Sequence, residues 1–392
     1  MRVLLAFDKF KDSFSAREAG RIVARVLREE HPDWIIELAP ITDGGEGFAN
    51  ILTHSVRGEL RQASVHGPGG EMLVAEYGMV DFDRIPVDAR RYLDLPTATQ
   101  SGARIAIIEM ALASGLALLH PADRDPWHTT TLGTGELIRR AMEEGAAGIL
   151  LGVGGSATHD LGLGALSALG FEFQTAEGAR VVPPVPATWK DIVTVSGAIL
   201  LGLPPLRIAC DVSNPLLGEH GAAAVYGPQK GLRTDDLERV ESESARMGAL
   251  LTRHCDQEEA LMNEPGTGAA GGIAFGLMAA AGARLLSGSD LVGAWLALES
   301  KIKQADIVIT GEGRFDESSF CGKGPGTVVA QALAGRKQVH VFAGKIEAGE
   351  HEGVKLHAIT PDELTPQQAL LSGPENLEAA VRRIFSPSPL IR

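Results

Sequence analysis

Residues 152–164, GVGGSATHDLGLG, set a cluster of glycines and the side chains of Ser156, Thr158, His159 and Asp160 directly behind the apolar run AAGILLG. Such a run reads as a buried strand, and a strand that ends in a glycine-rich turn before a helix aims backbone N–H groups at an anion. Turns of this kind line one edge of a sheet when helices connect parallel strands, so an α/β build is expected. The stretch also fits GxGxxA from Gly152 to Ala157, with Glu172 near the distance expected of a ribose contact, which is the pattern of a dinucleotide-binding turn. Asp160 suits a metal-chelated phosphate better than a bare pyrophosphate, and a tight structural turn is the third reading.

The two chain ends share one pattern. VLLAF at 3–7 is a short buried strand, and Ser15 followed by Glu18 is a capping box opening a helix with Ile22, Val23, Val26 and Leu27 on one face. From residue 306 the alternation returns as DIVIT, a glycine-rich loop GEGRFDESSFCGKGPG, a helix near 326–334, VHVFAG and LHAIT. The middle differs: residues 58–80 read as a hairpin around HGPGG, IAIIEM is a further strand, and Thr131 or Thr134 is placed to cap the helix GELIRRAMEEG. These patterns predict a Rossmann/flavodoxin-like α/β domain built from residues 1–60 and 290–392, with a mixed α/β domain inserted at 61–289. Residues 235–256 are expected to form a scaffold helix with His254 as a dipole partner at its end. The uncharged run 265–283 is dominated by small residues and reads as a loop and a closely packed buried helix.

Thirty-six basic against fifty acidic residues give a net charge of −14, with no basic tract, which argues against nucleic acid or an anionic membrane as partner. An anionic small molecule then needs a local cationic pocket. Cys210, Cys255 and Cys321 are too few and too dispersed for a disulfide framework or a metal site, which points to a reducing cytoplasm. Composition leaves the oligomeric state open.

Transfer of a phosphoryl group needs positioning, a divalent ion held by carboxylates, cations on the transferred group and a base near the acceptor hydroxyl. Asp8, Lys9, Lys11 and Asp12 follow the first strand, Asp43 and Glu46 flank a glycine pair, and Asp211, Asn214, Gln229 and Lys230 surround one short helix. Asp160, Asp211 and Lys11 are therefore the candidate catalytic groups, with Asp8, Lys11 and Arg314 on the substrate. Gly154, Gly155, Ser156, Thr158, Lys230 and Lys323 are the candidate phosphate contacts, and Asp43, Glu46 and Asp316 the candidate metal ligands. Gly322-Lys323 is not a P-loop, because Glu317 stands where its first glycine belongs and Gly324 where its Ser or Thr belongs. The loop EPGTGAAGG is a second candidate for backbone contact with phosphate, and close helix packing accounts for its glycines equally well.

Eight blocks, DKFKDSFSAREA, TDGGEGF, GTGELI, LGVGGSATHDLGLGALSALG, CDVSNPLLG, GPQKG, PGTGAAGG and ITGEGRFD followed by GKGP, resemble in the same order the bacterial glycerate kinase family of the glycerate 2-kinase type. The resemblance covers about residues 1–345. It implies a two-domain α/β fold and ATP- and Mg2+-dependent phosphorylation of D-glycerate to 2-phosphoglycerate, with glycerate and ATP as the small-molecule substrates. Two alternatives stand beside it: a kinase of a related small hydroxy acid, and an NAD-dependent dehydrogenase resting on GxGxxA and Glu172. Similar sequences carry glycine where Asp12 stands, and Asn and Gly where His159 and Leu161 stand, which bears on hydroxy-acid preference.

Overall fold

The computed structural model describes residues 1–95, 102–320 and 324–386. They divide into two compact units, Met1–Asp43 with Val292–Arg392, and Gly44–Leu291.

The chain enters the first unit as β1 (Arg2–Phe7), buried from Val3 onwards. The helix Ala16–Glu30 follows, with Ser15 at its N-cap accepting the N–H of Glu18 at 3.2 Å, and buries Val23, Val26 and Leu27 against the sheet. β2 (Ile35–Leu38) then pairs parallel with β1.

The inserted unit starts at Gly44, earlier than the boundary at 60 and 61 expected from pattern. The reason is local. The N–H of Gly154 donates to the carbonyl of Gly44 at 3.1 Å. The buried Glu109 accepts from Gly47 N and Ala49 N at 3.2 and 3.3 Å, capping the helix Phe48–Ser55. β3 (Glu59–His66) and β4 (Met72–Asp81) form the expected antiparallel hairpin, and β5 (Arg104–Glu109) and β6 (Gly148–Gly152) run parallel to each other. β7 (Phe171–Gln174) and β8 (Thr194–Gly197) make a separate two-stranded antiparallel sheet, after which β9 (Leu206–Ala209) and β10 (Arg284–Leu286) complete a sheet ordered β10-β9-β6-β5-β4-β3. GILLG in β6 and LRIA in β9 are buried throughout because central parallel strands are covered on both faces. Neither threonine caps the helix Leu132–Glu143 through its side chain. Thr134 lies inside the helix, and the Thr131 hydroxyl is turned to Asp160. The helix Leu237–His254 is as expected, but His254 bonds the carbonyl of Gly197 at 2.8 Å.

The chain returns through β11 (Ile307–Phe315), β12 (Gln338–Ile346) and β13 (Val354–Ala358), all parallel, giving the order β13-β12-β11-β1-β2. Counted within the unit this is the 2-1-3-4-5 order of flavodoxin-like folds, with its switch point between β1 and β11. Residues 311–315, expected in a loop, continue the strand: Arg314 pairs with Lys345 and Phe315 with Ile346.

Candidate active site

In the inserted unit the carboxyl ends of β5, β6, β9 and β10 share one edge of the sheet, the place where open α/β sheets hold ligands. The chain leaves β6 at Gly152 and stays irregular until the short helix Leu163–Ala168, whose N-cap is Gly162. This departs from the expected strand–turn–helix, so no helix terminus stands behind the glycines. Glu172 lies inside β7, hydrogen-bonded by Gln174 at 3.2 Å and 3.5 Å from Arg180, away from the position a ribose-binding acid takes. The dinucleotide reading loses both of its supports.

What the glycines provide is close packing. A Cβ at Gly154 would lie 2.5 Å from the Cα of Gly45, so two loops touch backbone to backbone. The N–H of Gly154 is committed to Gly44, while Ala157 donates to Ser114 and Leu116 to Gly155, leaving the N–H groups of Gly155 and Ser156 without a partner among the described residues. Ser156 is 7% exposed and Thr158 fully buried. Among the described residues the Thr158 hydroxyl finds no partner, and the Thr158 carbonyl accepts from Lys230 Nζ at 2.7 Å. Of the expected phosphate contacts, Gly155, Ser156 and the Thr158 hydroxyl keep donors to offer, whereas the Gly154 N–H and Lys230 are built into the loop. The EPGTGAAGG glycines also pack closely: a Cβ at Gly271 would lie 2.0 Å from the carbonyl oxygen of Thr158.

Asp160 is fully buried. Its Oδ2 accepts from Thr131 N at 2.7 Å, Thr131 Oγ1 at 2.9 Å and Gly164 N at 3.2 Å, and its Oδ1 from Gly162 N at 3.1 Å. Burial raises its pKa against the pull of those donors. With both oxygens engaged and no path to solvent, Asp160 is a hub of the loop; the expected metal or general-base role does not fit it. Burial pushes the Lys230 ammonium down to about 7, with Asp160 acting in the opposite sense. His159 is likewise enclosed: Nε2 faces Ser244 Oγ at 3.1 Å, and that hydroxyl is already donated to Val240 O at 2.7 Å. Nε2 therefore carries the proton, and burial holds the ring neutral with its pKa down to about 3. Asp211, beyond β9, is half-buried and accepts from Ser287 Oγ, Ser289 N and Ser289 Oγ at 3.2, 2.9 and 3.1 Å.

The terminal unit holds the second constellation, a cleft of about 920 Å3 at the carboxyl ends of β1, β11, β12 and β13. One end carries Asp8, Lys9, Lys11, Asp43, Glu312 and Arg314. Asp8 is nearly buried and accepts from Lys9 N at 2.7 Å, and Lys9 Nζ stands 3.6 Å from Asp43. Arg314 is tied to Glu347 and lies 3.4 Å from Asp316. Lys11 is exposed and makes no ion pair among the described residues. Burial, with repulsion from Asp8, Asp316 and Asp43 and against a hydrogen bond from Ser319, pushes the Glu312 carboxyl up to about 7, and its Oε1 finds no hydrogen-bond partner among the described residues. Asp43, Glu46 and Asp316 do not make a preformed cage: among the described residues no three His, Cys, Asp or Glu side chains assemble as one. Lys323 lies outside the described residues. The cleft's wall of residues 358–373 escaped sequence reasoning, although it begins at the carboxyl end of the expected strand LHAIT.

The glycerate kinase family model matches residues 3–387. A glycerate kinase of Halalkalibacterium halodurans is 35% identical over 97% of this chain and 97% of its own. A glycerate 2-kinase of Escherichia coli K12 is 36% identical over 88% of this chain and 86% of its own. A crystal structure from Salmonella typhimurium LT2, described as a glycerate kinase 2, superposes with a TM-score of 0.75 at 34% identity, covering 98% of this chain and 97% of that one. Ordered motifs, paired strand-end loops and full-length similarity agree, and the chain belongs to the glycerate kinase family.

Proposed function

We propose that this protein transfers the γ-phosphoryl group of ATP to D-glycerate, forming 2-phosphoglycerate. The carrying observation is the cleft of the terminal unit, which joins a cation to a crowded set of carboxylates at the ends of parallel strands. Lys11 holds the glycerate carboxylate, because Arg314 is already neutralised by Glu347 and Asp316. The N–H groups of Gly155 and Ser156, with the Ser156 hydroxyl, serve as anion contacts.

The carboxylates fit Mg2+. Glu312 has a buried Oε1 without a partner among the described residues, and burial, reinforced by its acidic neighbours, disfavours its charged form, a conflict that a dication relieves. Mg2+ asks for only one or two carboxylates beside phosphate oxygens and water, so a three-ligand cage is not required. Asp8, Glu312 and Asp316, with Asp43 beside them, are the residues to hold it. When bound, the ion neutralises charge on the transferred phosphates. The relatives and the dispersed cysteines support action on small molecules in the cytoplasm, and among the described residues no helix is long and apolar enough to cross a membrane.

The test is 31P NMR of the product formed from D-glycerate and ATP with and without Mg2+. Accumulation of 2-phosphoglycerate, lost on chelation, is the expected outcome. The 3-phospho isomer would overturn the regiochemistry, and sparing of ATP the reaction itself.

A further inference from the structure

We propose that the end of the cleft formed by residues 346–373 receives the base and ribose of the nucleotide, with the phosphates running towards Asp8 and Lys11. This rests on the ATP-dependent reading above. Three observations carry it. The first is size, since a three-carbon acid fills only a small part of a cleft of about 920 Å3, whereas about 300–1,000 Å3 is the ordinary range for larger ligands such as nucleotides.

The second is the division of the lining. Lys9, Lys11, Arg314 and Lys345 stand on strand ends and the first loop, while the lining residues from 358 to 373 include no Lys or Arg. That wall offers Ile359, Pro361, Leu364 and Leu370 for a flat apolar ring, and Asp362 to accept from ribose hydroxyls or an exocyclic amine. Lys345, at the end of β12 beside this wall, is already paired with Glu347 at 2.6 Å, so a triphosphate placed there would meet Asp362 and an engaged lysine, and the charge pattern favours phosphates at the β1 end. The third is rigidity: the Ser13 hydroxyl donates to the carbonyl of Leu370, tying the wall to the loop that carries Lys11. Phe10 and Phe14 stack beneath that loop at 4.3 Å. The cleft also spans the β1/β11 switch point, where flavodoxin-like sheets seat their ligands.

The test uses the full-length protein without glycerate, reading the fluorescence of the ribose-labelled probe mant-ADP. Leu364→Asp should weaken its binding at least tenfold, while Leu364→Met stays within about threefold of the parent. At saturating ATP, the KM for glycerate of Leu364→Asp should remain within about twofold. Photolabelling of the unaltered protein with 8-azido-ATP should modify residues within 346–373 and be blocked by ATP; this arm does not depend on a variant folding. Unchanged mant-ADP affinity in Leu364→Asp, or a crosslink in 152–160 or 265–275, overturns the proposal. Absence of nucleotide binding by the parent overturns the ATP-dependent reading with it, whereas turnover of a different hydroxy acid leaves the nucleotide end standing.

Discussion

Two single residues show how backbone geometry and burial compete. Asp12 and Leu161 have φ of 61° and 55°. Left-handed backbone costs an L-residue about 1–2 kcal/mol, less for Asp, whose short polar side chain tolerates it. Leu161 is fully buried, and enclosing a leucine contributes about 1.5–3 kcal/mol, so at that site packing outweighs strain. Asp12 is exposed and has no such compensation. Asp12→Gly should therefore keep the urea midpoint within the equivalent of about 1 kcal/mol, whereas Asp12→Val should lower it by about 1–2 kcal/mol; equal midpoints for the two would remove strain from the account. Asp160 behaves differently, because its oxygens are surrounded by donors. Asp160→Asn sets an amide against those N–H groups and should cost about 3 kcal/mol, lowering the melting temperature by roughly 5–10 °C. If melting is unchanged while turnover falls a hundredfold, Asp160 returns to the chemistry.

At the level of elements, the edge strand β13 of the terminal sheet and its neighbour β12 carry a histidine pair that makes its stability depend on acid. His340 on β12 is 2% exposed, its Nδ1 is 3.0 Å from His357 Nε2 on β13, and Phe385 packs over it from the helix Gly373–Phe385. Gln338 on the same strand contacts the other ring nitrogen at 2.9 Å, and Lys355 and Arg383 add positive charge nearby. Burial, with these charges behind it, lowers His340 to about 3 and His357 to about 4. Both folded values lie below the unfolded value of about 6.5, so the unfolded chain binds more protons as pH drops and stability is lost below about 6.5. The slope is about 1 kcal/mol per pH unit for His340, and smaller for half-buried His357, where solvent screens. Thermal melts from pH 7.5 to 5 should fall accordingly, and His340→Phe should flatten the curve; an unchanged slope in that variant would place the titration elsewhere. Elements of this sheet were legible because VLLAF, DIVIT and VHVFAG are short apolar runs between loop and helix signals. The end of β11 was not: GEGRF has the composition of a loop, and it becomes strand only because β12 offers a partner as far as Ile346.

On the scale of the whole molecule, pattern alone places an inserted domain between two chain ends, and the structure puts the break at Gly44 because glycine-to-glycine packing, invisible to hydrophobic periodicity, draws 44–60 into the insert. The candidate site was legible in the same partial way. Residue types marked the strand ends, but only coordinates separate the donors that Gly155 and Ser156 keep from the lysine and aspartate the loop consumes. The net charge of −14 gives a consequence that no local contact supplies. A protein this acidic repels an anionic acid at long range, and the attraction that overcomes it must come from Lys11 at short range. A charge-assisted hydrogen bond contributes about 1.5–3 kcal/mol, so Lys11→Met should raise the KM for glycerate by roughly 10- to 150-fold. Salt separates the two fields, because the screening length is about 10 Å at 0.1 M. In the parent protein, added KCl weakens the local attraction, and KM should rise. In Lys11→Met only the repulsion remains to be screened, and KM should stay level or fall between 20 and 300 mM KCl, over which the screening length shrinks about fourfold. Parallel salt dependence in the two proteins would mean that Lys11 does not touch the carboxylate and that the anion finds its cation elsewhere.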